Sequence, residues 1–253
     1  LSTAASRERL GRWAYWLQRF GLSSAFLWLA CGRARPYLDL DAWHRLLVTL
    51  AHHPMASARG MMWLEGLMRD GLLLAFDLLV ALLLVVSRPA PKPPERLSHV
   101  VVPLLSTFSY LGFGLAGSLP AWAQTPRLLP PLGLLGVVLP ELLVVLAYVL
   151  SLSALVYLRR SFAIFVEART LVRRGPYRFV RHPMYLGYVL VVLALAIARP
   201  TPAMWLLGAL AIALTYLRAR LEEKMLSAHT PGYAEWMAQT GMIFPRLRRR
   251  KRG

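Results

Sequence analysis

Three long apolar runs, residues 71–87 (GLLLAFDLLVALLLVVS), 100–119 and 132–158, and a closely spaced pair, 184–198 and 203–217, constrain this chain more than any other feature. About 20 residues of helix cross the hydrocarbon core of a bilayer. Lipid offers no partner to backbone N–H and C=O groups, so such runs fold as helices that close their own hydrogen bonds. Hydrophobic residues make up 57% of the 253-residue chain, and the mean hydropathy is +0.48. The expectation is an all-α integral membrane protein with about five transmembrane helices. Pro140 inside the third run predicts a kink. Arg199-Pro200-Thr201-Pro202 splits the last two runs and predicts a C-terminal helical hairpin, because proline ends the first arm and can start the second.

Three regions follow. Residues 1–70 read as an N-terminal interfacial, amphipathic region. Within it 13–31 is too short in apolar content for a full span, and 32–70 carries Pro36 and Pro54 among short surface helices. Residues 71–158 hold transmembrane helices one to three. Residues 159–253 form a core with a basic loop, the hairpin and a basic tail.

The net charge of +18 gathers beside the apolar runs. Residues 159–182 contain seven Arg against one Glu, and residues 88–97 contain Arg88, Lys92 and Arg96. A five-span path places these loops and the tail on the cytoplasmic side, as the positive-inside bias requires. This pattern excludes nucleic acid as the reason for the charge and leaves membrane lipids as the surrounding partner. Cys31 is the single cysteine, so an intrachain disulfide is excluded.

Two motifs are decoys. Gly112, Gly114 and Gly117 match G-x-G-x-x-G, yet no strand precedes them and no acidic residue follows at the required spacing. Small residues inside an apolar run read as helix packing. His44, His52 and His53 lack Asp, Glu or Cys partners at ligand spacing, so no metal is expected. Asp77 and Glu141 lie inside apolar runs, where a carboxylate either lines a polar pocket or bonds a neighbouring helix.

The polar cluster that stands out is Gly175-Pro-Tyr-Arg-Phe-Val-Arg-His-Pro-Met-Tyr-Leu-Gly187, followed after the last apolar run by Arg218-Ala-Arg220-Leu-Glu222-Glu223. Pro183 suits the first turn of a helix, which puts His182 just outside it in extended geometry. The unpaired N–H groups there, with Arg181, suit a carboxylate. If the hairpin folds back, Glu222 and Glu223 approach Arg181 and His182. Carboxylates, imidazole and aromatic rings then suit a ligand that carries both an amino-acid group and a positive charge. The plain alternatives are an aromatic and arginine belt at a helix end and a local salt bridge of Glu222 or Glu223 with Arg218, Arg220 or Lys224.

These residues resemble the isoprenylcysteine carboxyl methyltransferases and the related membrane phospholipid methyltransferases. The family pattern runs GPY, RHPxYxG, hairpin, RxEE. The chain has Gly175-Pro176-Tyr177, Arg181-His182-Pro183-Met184-Tyr185-Leu186-Gly187 and Arg220-Leu221-Glu222-Glu223, then Gly232, Tyr233 and Pro245. It departs at Arg173-Arg174, where Thr is usual, and at Trp236, where a second Tyr is common. The resemblance covers residues 160–247. It implies an integral membrane methyltransferase using S-adenosylmethionine with its site facing the cytosol; a bacterial inner membrane is the expected location. It implies that Tyr177, Arg181, His182, Pro183, Tyr185, Gly187, Glu222 and Glu223 bind the cofactor. It also implies that Arg220 and Tyr185 orient the acceptor.

Methyl transfer from a sulfonium expels a neutral leaving group, so the work is alignment and desolvation. A carboxylate acceptor needs no base, whereas an amine must lose a proton, which a Glu can take. Because the site opens between membrane helices, a lipid or lipidated small-molecule acceptor is expected. Arg220→Lys is expected to impair turnover. Arg218, about 200° away on a helix, is expected to tolerate the same change. Glu→Gln at 222 or 223 is expected to weaken cofactor binding and spare the fold. The rival readings are a sterol-reductase-type membrane enzyme using NADPH and a non-catalytic scaffold.

Overall fold

The computed structural model describes residues 4–39, 41, 44, 47, 48, 51, 58–110, 112, 113 and 133–246. Among them the architecture is all-helical, and backbone pairing between extended segments is confined to isolated bridges. Helix α1 (Ala4–Trp16) passes through a π-helical segment, Leu17–Leu22, into α2 (Ser23–Ala34). Helix α3 spans Ala58–Val86, α4 Ser98–Phe108, α5 Leu135–Leu158, α6 Pro183–Ala198, α7 Pro202–His229 and α8 Tyr233–Gln239. The end of the expected 100–119 span, Gly114, Gly117, His52, His53 and the last basic residues lie outside the described residues.

Two helices, Leu135–Ser161 (mean hydropathy 2.3) and Pro202–His229 (1.4), are long and apolar enough to cross a membrane; α4 and α6 are apolar but shorter. Their exposed faces are apolar too. On α5 the outward stripe is Leu135, Val138, Leu142, Leu146, Val149 and Val156, with Leu142 61% exposed. Water would leave that stripe costly, and lipid would not. Pro140 is buried inside α5, and the helix continues through it from Leu135 to Leu158.

The core forms where α3, α5 and α6 meet, with α2 packed along α3 and α7 against α4 and α6. Leu84, Val80, Leu155, Ala154 and Phe165 are among its buried members. Small side chains set the closest approach. A Cβ on Gly187 of α6 would lie 2.3 Å from Ser151 Oγ and 2.9 Å from the Ala147 carbonyl oxygen of α5.

The carboxylates within the bundle both find arginines. Asp77 Oδ2 accepts from Arg33 Nε at 2.7 Å, tying α2 to α3, and Glu141 Oε1 accepts from Arg69 Nη1 at 3.0 Å, tying α3 to α5. Helix α3 also departs from the expected boundary at residue 70. It starts 13 residues before the 71–87 run, because Met61, Met62, Trp63, Leu64 and Leu67 continue a helix-forming sequence after the last proline.

Thr201 Oγ1 caps α7 by accepting from Met204 N at 3.4 Å, and Pro202 occupies its first position. The helix does not stop where the apolar run ends at 217 but continues about three further turns to His229. Arg218, Arg220, Glu222 and Glu223 therefore lie on one rigid helix, and their helical phase decides what each can reach.

Candidate active site

The site is assembled where the loop after α5, the start of α6 and the last third of α7 meet. The loop's Gly175–Arg178 segment is a single 3₁₀ turn that begins in the left-handed region, with Gly175 at φ +59°. A Cβ at Gly175 would sit 2.3 Å from the Tyr157 ring, so conformation and space both require glycine. That turn buries Tyr177. The chain then runs beside the C-terminal segment: Arg181 N donates to Gly241 O (2.9 Å) and His182 N to Met242 O (3.0 Å). His182 has φ −127° and ψ 67°, in keeping with its place before Pro183, and its carbonyl accepts from Tyr185 N and Leu186 N to open α6.

A partly open cavity of about 110 Å³ lies between these elements. Tyr177, Arg181, His182, Tyr185, Arg218 and Glu222 supply its polar lining, and Phe162, Phe165, Leu226, Tyr233 and Trp236 supply apolar and aromatic wall. Tyr185 is the hub. Its hydroxyl donates to Glu222 Oε2 at 2.6 Å. The His182 ring stacks on it at 5.0 Å and 7° between planes, and the Arg218 guanidinium carbon lies 5.1 Å from its ring centroid. His182 Nδ1 stands 3.7 Å from the same Glu222 oxygen.

Arg218 is 4% exposed. Its Nη1 donates to Thr107 Oγ1 (3.0 Å) and its Nη2 to Ile164 O (2.7 Å), while the buried Nε has no hydrogen-bond partner. A buried guanidinium held by two neutral oxygens, with its Nε unbonded, is costly unless an anion or acceptor completes it. On the loop side, Glu167 is buried beside Arg169 and Gln18; burial pushes its carboxyl up, outweighing the two partners. Burial likewise pushes the Tyr177 hydroxyl up.

Five sequence-predicted site residues meet in the cavity: Tyr177, Arg181, His182, Tyr185 and Glu222. Four do not line it. Pro183 is fully buried at the first position of α6 and sets the helix start. Gly187 faces α5. Glu223 lies behind the wall, 2.6 Å from Arg181 Nε, and Arg181 Nη1 also reaches the carbonyls of Met237 (3.1 Å) and Thr240. Glu223 thus anchors Arg181 and the C-terminal segment rather than an exposed helix end. Arg220 is exposed, with its Nη1 3.5 Å from the Tyr216 hydroxyl one turn back. The arginine in the cavity is Arg218, and the reason is phase. Arg218 and Glu222 are four residues apart and share a helix face, whereas Arg220 points away from both.

Gly187→Ala separates a packing role from a ligand role. The added methyl meets a fixed backbone carbonyl, so stability measured by thermal unfolding in detergent should fall by about 2 kcal/mol. Unchanged stability with weaker ligand binding would place Gly187 at the ligand instead.

Residues 133–229 match the family model of phospholipid methyltransferases. The match runs from the start of α5 to the end of α7 and contains every cavity-lining residue except Tyr233 and Trp236. This segment is therefore similar to a phospholipid methyltransferase domain. The family is one of membrane methyltransferases, and its chemistry is a transfer reaction. The chain is also 37% identical over 89 residues to the cobalt-zinc-cadmium resistance protein CzcN of Cupriavidus metallidurans, a match covering 34% of this chain and 41% of that protein. The aligned part is thus about two fifths of that relative's length. Among the described residues of this chain, no group of three or more His, Cys, Asp or Glu is placed to hold a metal ion.

Proposed function

We propose that this chain is an S-adenosylmethionine-dependent membrane methyltransferase that acts on a membrane-borne acceptor, with a carboxylate as the preferred acceptor group. The observation that carries the reading is the Tyr185 hub, which joins a carboxylate (Glu222), an imidazole (His182) and a buried, incompletely bonded guanidinium (Arg218) in one aromatic-walled cavity. These groups fit the cofactor's chemistry. Glu222, fixed by the Tyr185 hydroxyl, offers negative charge to an ammonium or sulfonium. Arg181 offers positive charge to a carboxylate. Trp236, Tyr233 and Phe165 offer faces to an aromatic ring. When bound, the cofactor supplies an electrophilic methyl group and leaves as a neutral thioether.

A second cavity of about 120 Å³ supports a membrane-borne acceptor. Phe26, Leu29, Phe76 and Tyr148 make it mainly apolar, and the Arg33–Asp77 pair lies in its wall. The two cavities share a partition. Thr107 lines the second cavity and holds Arg218, which lines the first. Tyr188 lines the second and lies against Tyr185, with centroids 6.0 Å apart. An apolar body in the second cavity would bring its head group to Arg218. There Arg218 would orient an ionised carboxylate and hold it away from water, and no residue would need to take a proton from it. An amine head would instead need Glu222 to take its proton. The five-span arrangement with the site at the cytosolic face belongs to the same proposal and is supported by the basic loops around residues 88–97 and 159–182.

The test uses purified protein in detergent with a lipid extract of its host membrane and S-adenosylmethionine labelled in the methyl group. Label should enter the lipid-soluble fraction and leave as methanol on mild alkaline treatment, as a methyl ester requires. Alkali-stable label would indicate an amine acceptor. No transfer at all, with retention of NADPH instead, would support the reductase reading.

A further inference from the structure

Gln18 belongs to the amino-terminal helix, far in sequence from the family-matched domain, yet its side chain ends at the cavity wall. It is 3% exposed. Its Oε1 accepts from two successive backbone amides, Ile164 N at 2.7 Å and Phe165 N at 3.0 Å, and its Nε2 donates to Glu167 Oε1 at 2.6 Å. Phe165 and Glu167 line the cavity. The carbonyl of Ile164 is the acceptor for Arg218 Nη2. The other Glu167 oxygen accepts from Arg169 Nε and Nη2 at 2.9 and 2.7 Å. Arg169 is in turn anchored on the carbonyls of Arg88 and Arg160. One amide therefore fixes the 164–167 wall that holds Arg218.

We propose that Gln18 is a positioning residue for the ligand site: it sets the 164–167 wall and, through Ile164, the Arg218 guanidinium, so that the amino-terminal helix completes the cavity. Only a primary amide of this length can accept from two N–H groups at one end and donate to a carboxylate at the other. An apolar residue would strand two buried N–H donors and a carboxylate oxygen. The local geometry serves the same end. Gln18 lies in the π-helical segment Leu17–Leu22, a rare widening of the helix that is frequent at functional sites. Nothing in the sequence of residues 1–70 marks Gln18, because its partners lie 146 to 149 positions away.

The ligand readout of this inference rests on the S-adenosylmethionine reading, but a second readout does not. Two variants of the full chain serve: Gln18→Leu, which keeps the shape and removes the amide, and Gln18→Glu, which matches the amide only while protonated. The charged groups facing position 18 are Glu167 in contact, Arg169 on the far oxygen of Glu167, and Glu222 across the cavity. Gln18→Leu should speed hydrogen exchange at the Ile164 and Phe165 amides and weaken S-adenosylmethionine binding, each by about tenfold or more. Gln18→Glu should stay within about threefold of wild type at the low end of the pH range in which the protein is folded, where a shared proton links the introduced carboxyl to Glu167 as the amide did. It should fall toward the Leu variant as pH rises and the two carboxylates repel. Faster exchange with unchanged ligand affinity would reduce Gln18 to a tether and overturn the proposal, as would pH-independent behaviour of the Gln18→Glu variant. If the wild-type protein binds no S-adenosylmethionine, the cofactor reading fails and the positioning role falls with it, while the exchange rates and their pH dependence still decide separately whether Gln18 sets the 164–167 wall.

Discussion

Arg218→Lys should lower turnover by about a hundredfold or more, roughly 2.7 kcal/mol of transition-state stabilisation, while Arg220→Lys should leave turnover within about twofold of wild type. The structure reverses the order expected from the sequence motif. Arg218 is buried at the partition between the two cavities, with its fork bonded to Thr107 and Ile164 and its Nε free. Lysine keeps the charge but cannot span both oxygens and present a third donor. Arg220 projects from the opposite face of α7 and meets Tyr216 at the surface. Initial rates at saturating cofactor decide the matter, with thermal unfolding of each variant to show that Arg218→Lys still folds. Equal losses at both positions would mean that the arginines act as a general basic patch.

The adjacent glutamates should also part company. Glu223→Gln should cost about 3 kcal/mol of stability, because it leaves the Arg181 guanidinium without its charge partner at a position where the two side chains are only 8% and 10% exposed. Loss of that pair also loosens the segment carrying the Met237 and Thr240 carbonyls. Glu222→Gln should barely move the unfolding temperature and should weaken S-adenosylmethionine binding by about 1.5–3 kcal/mol, the scale of a charged hydrogen bond. Thermal unfolding and equilibrium binding on both variants separate the roles. Weaker binding and unchanged stability in Glu223→Gln would put Glu223, not Glu222, at the ligand.

Much of this site was legible in the sequence because its parts are local. GPY is a turn, His-Pro opens a helix, and Tyr185 lies within the first turn of α6, so the grouping of Tyr177, His182 and Tyr185 follows from spacing alone. The bundle was legible for a similar reason: apolar length and the need to satisfy backbone groups leave helices as the answer. What failed was rotation about a helix axis. The motif drew attention to Arg220, next to the glutamates, although the four-residue interval from Arg218 to Glu222 already marked a shared face. Adjacent residues on a helix point about 100° apart, so Glu222 faces the cavity and Glu223 the C-terminal segment, a difference that the motif alone does not show.

Contacts that depend on distant packing left no trace. Gln18 reaches residues 164–167 only because α1 and α2 lie against the core, and nothing in its neighbourhood signals a buried amide. Gly187, part of a motif associated with the cofactor, is explained by the approach of α6 to α5. The beginning of α3 was missed because 58–70 mixes charges with strong helix formers, a pattern that reads equally well as short surface helices.

Equilibrium binding of S-adenosylmethionine to the purified wild-type protein, in parallel with NADPH and with the Glu222→Gln variant, tests the account at its centre. The expected result is micromolar binding of S-adenosylmethionine, about −8 kcal/mol, displaced by its demethylated product, weakened in Glu222→Gln and unaffected by NADPH. Binding of NADPH with no response to S-adenosylmethionine would contradict the account.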